Sequence, residues 1–191
     1  MKAYKLTNID GKTKYNTQWG SGIGHTVNFD TPFKPLCSCA WIHFYKDPLL
    51  AIFMNPSHAG FNPTRLWECE TFGKHLHEPL KSGCKTLTTI KEIPVPEISD
   101  VQKKAFGILC AKEVCKEEEW NEWNEWANKW LSGKHRYALT NKPFYGLSIA
   151  IWCTPTFYTC WDFHSNIADL VSKQKKDLDF IALAKKAMTY V

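Results

Sequence analysis

The stretch from Cys37 to Pro56, CSCAWIHFYKDPLLAIFMNP, constrains the fold most, because it encodes a strand, a turn and the start of a helix in close succession. Apolar and aromatic residues from Cys39 to Tyr45 are typical of a buried strand. Asp47 is a favourable N-cap, and Pro48 fits the first position of the helix that follows. We expect this short helix to stop at Pro56.

The remainder of the first half predicts short strands separated by turns. Alternating or β-favouring residues indicate four strands, at residues 2–7, 25–29, 65–72 and 85–93. Polar residues between the last two, which include His75, His77 and Gly83, predict a loop. Pro94 and Pro96 then mark the end of this part, because proline interrupts both strands and helices.

From Ser99 onward the apolar period changes to that of a helix. Ser99 and Gln102 predict a capping box at the start of a helix that extends to about Cys115. Residues 166–190 place apolar side chains opposite lysines, which predicts one or two amphipathic helices. Residues 144–163 mix apolar side chains with prolines, so their secondary structure stays open.

These patterns together predict an α+β fold. A mainly antiparallel β part with one short helix occupies residues 1–96, and a helical part occupies residues 97–191. We expect the two parts to pack together as one compact unit.

Tryptophans recur at helical spacing in the second half. Glutamates at 117–119 favour a helix N-terminus, and Trp123 and Trp130 share one face before Gly133 predicts the C-terminus. Such a stripe is typical of packing against a core, and the alternative is a base-stacking or partner-binding surface. We interpret it as core, with Trp126 at its edge and partly exposed.

Charge and hydropathy exclude some classes of protein. The chain has 24 basic and 19 acidic residues, a formal net charge of +5 that permits an anionic partner without requiring one. No apolar run reaches the length of a membrane span, and the N-terminus lacks the apolar core of a signal peptide. We therefore expect a cytosolic protein with no membrane contact.

The eight cysteines are expected to be reduced and mostly buried, since no signal peptide indicates an oxidising compartment. The alternative is a zinc site that draws on Cys37, Cys39, Cys69, Cys84, His75 and His77. A Cys-x-Cys pair departs from the two-to-four-residue spacing usual in structural zinc sites. We accordingly predict no metal site.

Several segments carry a resemblance that covers most of the chain. They are CAWIHFYKDPLLA at residues 39–51, RLWECE at 65–70, IPVP at 93–96, QKKAFGILCAKEV at 102–114, WANKWLSG at 126–133 and LDFIALAKKA at 178–187. Their order resembles a group of uncharacterised bacteriophage proteins with a C-x-W-x-H-x-x-x-D-P-L-L-A motif. The resemblance implies a phage protein that works in the host cytoplasm. By analogy with other small phage proteins, including inhibitors of CRISPR and other defence systems, it implies binding to a host protein or ribonucleoprotein.

A fainter resemblance is to the ADP-ribosyltransferase fold, in which an aromatic strand runs into a short helix beneath the nicotinamide pocket. That resemblance implies NAD as cofactor, with His43 and Tyr45 beside the nicotinamide and Glu92 as the hydrogen-bonding carboxylate. The residues also fit structural roles: a histidine in an apolar run is typically a hydrogen-bonded core residue, and a glutamate suits an exposed strand face. No nucleophile and base can be paired from the sequence, so no catalytic residue is assigned.

A basic surface is the third feature with functional content. Lys134, His135 and Arg136 form a compact basic group, and the C-terminal lysines 173, 175 and 176 form another. They predict contacts with an anionic partner, and Trp126 or Tyr137 could stack on bases of RNA or DNA. The leading hypothesis is a non-enzymatic binding protein; the alternatives are an ADP-ribosyltransferase or NAD-cleaving enzyme and a nucleic-acid-binding protein.

Overall fold

The computed structural model describes residues 1–28, 35–134 and 163–191. The strands are β1 (Lys2–Asn8), β2 (Gly24–Thr26), β3 (Ile42–Phe44), β4 (Thr64–His77) and β5 (Ser82–Ile93). The helices are α1 (Pro48–His58), α2 (Asp100–Lys112), α3 (Asn121–Leu131), α4 (Phe163–Gln174) and α5 (Phe180–Ala187), with a 3-10 turn at Glu118–Trp120. The predicted α+β class is confirmed. His135, Arg136, Tyr137 and the open segment 144–163, except its last residue, lie outside the described ranges.

The sheet is antiparallel and is built on the long hairpin of β4 and β5. β1 pairs with the first half of β4. On the side away from β4, the start of β5 pairs with β3, and a later part of β5 pairs with β2. Two backbone hydrogen bonds of 2.9 and 2.8 Å link Tyr4 of β1 to Tyr45, the residue after β3. The sheet therefore curls so that the chain around β3 contacts both β5 and β1.

Helix α1 continues beyond its predicted end. Pro56 lies inside the helix, and the prediction that the helix stops there is wrong. The backbone N–H groups of Ala59 and Gly60 both donate to the Asn55 carbonyl, and Gly60 has a φ of 68°. The helix therefore ends at a glycine whose backbone adopts the left-handed conformation, as in many C-terminal caps. The extra turn places His58 on α1.

The predicted loop around the later histidines is also wrong. His75 and His77 belong to β4, Gly83 belongs to β5, and only residues 78–81 lie between the strands. A register shift in β4 between Phe72 and His75 interrupts the alternation of faces. Because a bulge of this kind breaks the period of two, the sequence pattern hides the second half of the strand.

Both predicted N-caps are confirmed. The Asp47 carboxylate accepts hydrogen bonds from Leu49 N and Leu50 N at 2.9 and 3.2 Å. Ser99 and Gln102 form the reciprocal capping box at the start of α2. Each cap satisfies backbone N–H groups that have no partner inside the helix.

Two apolar cores lie on opposite faces of the sheet. Neighbouring residues of β4 show the division: Leu66 belongs to the large core beneath the helices, and Trp67 belongs to the smaller core. The large core also buries Trp123 and Trp130 of α3, which confirms the interpretation of the tryptophan stripe, and Trp126 is partly buried as predicted. The smaller core comprises Ala3, Trp19, Ile42, Phe44, Trp67, Cys69, Cys84 and Leu87.

Across the parts of the chain that the structure describes, no helix combines the length and the apolar character that crossing a bilayer requires.

Candidate functional site

The structure does not assemble the three residues considered for NAD chemistry. The His43 ring bonds through Nε2 to the Leu36 carbonyl, and burial lowers the pKa of His43. His43 lies opposite Gly83 of β5, whereas Glu92 is nine residues further along that strand. The side chains of His43, Tyr45 and Glu92 each hydrogen-bond to a different partner, and none of the three bonds to another.

Glu92 has a structural partner of its own. Arg65 Nε donates to Glu92 Oε1 at 2.9 Å, and Arg65 Nη2 donates to Oε2. This bidentate hydrogen bonding lowers the pKa of Glu92. The guanidinium also lies 4.6 Å from the ring centroid of Trp67. The carboxylate is thus engaged by an arginine at the surface of the sheet.

Tyr45 belongs to a different group of residues, which the sequence did not reveal. Its hydroxyl lies 3.1 Å from His58 Nδ1, and His58 Nε2 lies 3.1 Å from Asp169 Oδ1. Because an ionised carboxylate only accepts hydrogen bonds, Nε2–H of His58 donates to Asp169, and the other ring nitrogen bonds to the Tyr45 hydroxyl. Beside this group, Ser57 Oγ forms a separate 2.6 Å hydrogen bond from α1 to Ser165 Oγ of α4.

Burial determines what this hydroxyl–imidazole–carboxylate chain can do. Tyr45 is only 7% exposed, and burial raises the pKa of its phenol well above the usual value. For Asp169, burial is the largest influence and works to raise the pKa, but the hydrogen bond from His58 and the nearby cations Lys81 and Lys173 together outweigh it, so the pKa is lowered. The order of groups resembles a proton relay. Since the hydroxyl at its end is shielded from solvent, the chain serves to join three elements of the fold.

His58 and Asp169 were missed for a physical reason. His58 lies beyond the proline at which the helix was expected to stop, and Asp169 lies on α4, far along the chain. Local spacing carries no signal for such a contact.

The basic residues expected to bind a partner are only partly described. Lys173 is at the C-terminal end of α4, and Lys175 and Lys176 lie in the turn before α5; all three are exposed. None of them pairs with a carboxylate in the described ranges, although Lys173 contributes to lowering the pKa of Asp169. By contrast, local ion pairs engage Lys103, Lys116 and Lys129. Lys134 is exposed just after α3.

The described cysteines divide into two classes. Cys69, Cys84, Cys110 and Cys115 are buried, as expected, whereas Cys37 and Cys39 are exposed. Lys81 Nζ lies 2.9 Å from Cys37 Sγ.

The histidines considered for zinc have other partners. His75 Nε2 bonds to Thr71 Oγ1 at 2.8 Å, and His77 Nδ1 bonds to Ser82 Oγ at 2.9 Å. Within residues 1–28, 35–134 and 163–191, no three histidine, cysteine or acidic side chains are grouped closely enough to hold a metal ion.

The geometry thus offers an internal hydrogen-bonded chain at Tyr45, an exposed basic turn at residues 173–176 and an exposed thiol beside Lys81. Comparison of the chain with protein-family models, with curated proteins and with solved structures finds no match.

Proposed function

We propose that the chain is a phage-encoded, non-enzymatic binding protein that acts in the host cytoplasm on a host ribonucleoprotein. Inhibition of a defence system such as CRISPR is one form that this action would take. The phage-like order of motifs supports the origin, and the lysine turn at residues 173–176 supports an anionic partner. The same turn fits direct contact with RNA.

The observation that carries this proposal is the positive charge of that turn, which no carboxylate of the described residues neutralises through an ion pair. Lys173, Lys175 and Lys176 are exposed, and the described residues offer them no ion pair, whereas Asp177 is the one acidic residue within 173–177. Exposed cations of this kind raise the local concentration of anionic partners and speed their association. A ribonucleoprotein presents phosphates to such a surface, and phosphate contacts release counterions on binding.

Two lysines elsewhere in the chain provide the contrast. Lys103 lies 3.2 Å from Asp100, and Lys116 lies 3.0 Å from Glu113, each within the same local segment. A lysine that already faces a carboxylate contributes less to the field felt by a partner. The basic turn before α5 is therefore the better docking surface.

Charge reversal tests the proposal. Host lysate is passed over the immobilised wild type and over the variant Lys173→Glu/Lys175→Glu/Lys176→Glu, with and without nuclease, and bound protein and RNA are identified. We expect the wild type to retain a ribonucleoprotein whose binding weakens steeply with salt. The affinity of the variant for that particle should fall at least about tenfold, because three phosphate contacts become repulsive.

The variant Lys103→Glu/Lys104→Glu/Lys116→Glu makes the same change in net charge in and just after α2 and should bind like the wild type. Equal loss in both triple variants would indicate only a general charge effect. Failure of the wild type to retain a nuclease-sensitive, salt-sensitive particle would refute the proposal.

A further inference from the structure

Two exposed thiols lie in a segment that the fold holds in place. Ser38 N donates to the Leu36 carbonyl at 2.8 Å, and the His43 ring bonds to that same carbonyl. On the other side of the thiols, Lys85 Nζ donates to the Ala40 carbonyl at 3.1 Å. The backbone on either side of Cys37 and Cys39 is therefore fixed to the sheet.

An ammonium group contacts one of the two sulfur atoms. Lys81 Nζ donates to Cys37 Sγ at 2.9 Å. Lys81 ends the turn between β4 and β5, and its carbonyl accepts a 3.0 Å hydrogen bond from Glu78 N. The hairpin thus presents the lysine to the thiol. A neighbouring cation is the kind of environment in which cysteines react as nucleophiles.

The buried cysteines are less able to react as nucleophiles. Burial raises the pKa of Cys69 and of Cys84 to about 12, and it also raises the pKa of Cys110. A buried, protonated thiol is a poor nucleophile. Any oxidation of the described cysteines should therefore concentrate at the exposed pair.

We propose that Cys37 is a peroxide-reactive redox site, with Lys81 as its cationic partner and Cys39 as the resolving thiol. This site is independent of the proposed binding function. Solvent-accessible cysteines beside a cation and near a second cysteine are typical of redox-sensing positions.

The reaction needs a hydroperoxide as oxidant and has two steps. The Cys37 thiolate attacks the peroxide, so an S–O bond forms, the O–O bond breaks, and the departing oxygen takes a proton that the Lys81 ammonium can supply. Cys37 is thereby oxidised to a sulfenic acid, and the hydroperoxide is reduced to an alcohol or, for hydrogen peroxide, to water. Cys39 then attacks the Cys37 sulfur, an S–S bond forms, and the hydroxyl group leaves as water.

Mass spectrometry with peptide mapping tests the site on the full chain treated with hydrogen peroxide. We expect the wild type to lose two hydrogen atoms from the peptide that holds both cysteines. In Cys39→Ser the intermediate should persist, so that dimedone labels Cys37. In Lys81→Met the rate of Cys37 oxidation should fall by about tenfold, because the cationic partner is lost. Lys91→Met, which removes an exposed lysine of β5, should leave the rate unchanged.

Lys81→Arg keeps the charge and should restore most of the rate. Rapid alkylation of Cys69 and Cys84 identifies any variant that has lost its fold. If Lys81→Met is such a variant, the oxidation rate of Lys81→Arg is the measurement that decides the role of the charge. Equal peroxide reactivity of Cys37 and free cysteine, an unchanged rate in Lys81→Met, or the absence of a Cys37–Cys39 disulfide would each overturn the proposal.

Discussion

Lys5 is a charged residue in an apolar environment. It is 7% exposed in the smaller core, where its Nζ donates to the His43 carbonyl at 3.0 Å and lies 4.5 Å from the ring centroid of Trp19. Burial lowers the pKa of Lys5 to about 8. One carbonyl and one aromatic face compensate only part of the cost of removing an ammonium from water.

This residue should make stability rise with pH. Below pH 8 both the folded and the unfolded chain carry the proton, whereas between about pH 8 and 10.5 only the unfolded chain keeps it. The unfolded state then binds more protons, so the free energy of unfolding increases, by up to about 3 kcal/mol over the window. Urea unfolding of the wild type and of Lys5→Met at several pH values measures this contribution as a difference.

The comparison of the wild type with Lys5→Met is necessary because Cys69 and Cys84 change the free energy of unfolding in the opposite direction as the pH rises. Their pKa values are raised to about 12, so unfolding releases their protons above about pH 9 and lowers stability there. Lys91→Met, which removes an exposed lysine, is the control. A difference for Lys5→Met that stays flat across this pH range would mean that Lys5 is not buried as an ammonium.

The Tyr45–His58–Asp169 chain links three elements of the fold. Tyr45 follows β3, His58 is the last residue of α1, and Asp169 lies on α4. One imidazole therefore joins the sheet to two helices. Removal of either outer partner leaves a ring nitrogen of the half-buried histidine without its hydrogen bond, which costs more than the bond itself contributes.

A double-mutant cycle checks this link. We expect Tyr45→Phe and Asp169→Ala each to lower the free energy of unfolding by about 1 to 2 kcal/mol. The loss of unfolding free energy in the double variant should differ from the sum of the two single losses by at least about 0.5 kcal/mol, because both partners bond the same ring. Tyr190→Phe, a partly buried tyrosine near the C-terminus, is the control and should change little. Strictly additive losses would show that the two bonds act independently.

At the scale of the whole molecule, one curled sheet separates two cores. The segment before β3 packs directly on the start of β5 at Gly83. A Cβ at that position would lie 2.5 Å from Leu36 Cδ1 and 2.8 Å from Trp41 Cβ. A glycine is needed there because the covering segment approaches the strand too closely for a side chain.

Gly83→Ala should therefore destabilise the protein, by about 1 to 3 kcal/mol, since the covering segment must move away from the strand. Chemical denaturation measures the loss. Thr86→Ala, at a half-buried position of the same strand, serves as the control and should cost less. The displaced segment should also speed alkylation of Cys84 in the smaller core. Unchanged stability and labelling would contradict the close packing inferred at Gly83.

The sequence by itself determined the features that depend on neighbouring residues. The N-caps at Asp47 and Ser99, the helical stripe of Trp123 and Trp130, and the α+β class all follow from short-range hydrogen bonding and from the periods of helix and strand. These interactions act within a few residues, so the local sequence is enough to predict them.

Only the tertiary structure decided the contacts that bring distant residues together. The sequence predicted neither the burial of Lys5, nor the joining of His58 to Asp169, nor the contact of Lys81 with Cys37. The bulge in β4 and the curl that brings Tyr45 to Tyr4 likewise depend on how strands pair and how the cores fill. Such contacts depend on chain positions far apart in sequence, and no local period records them.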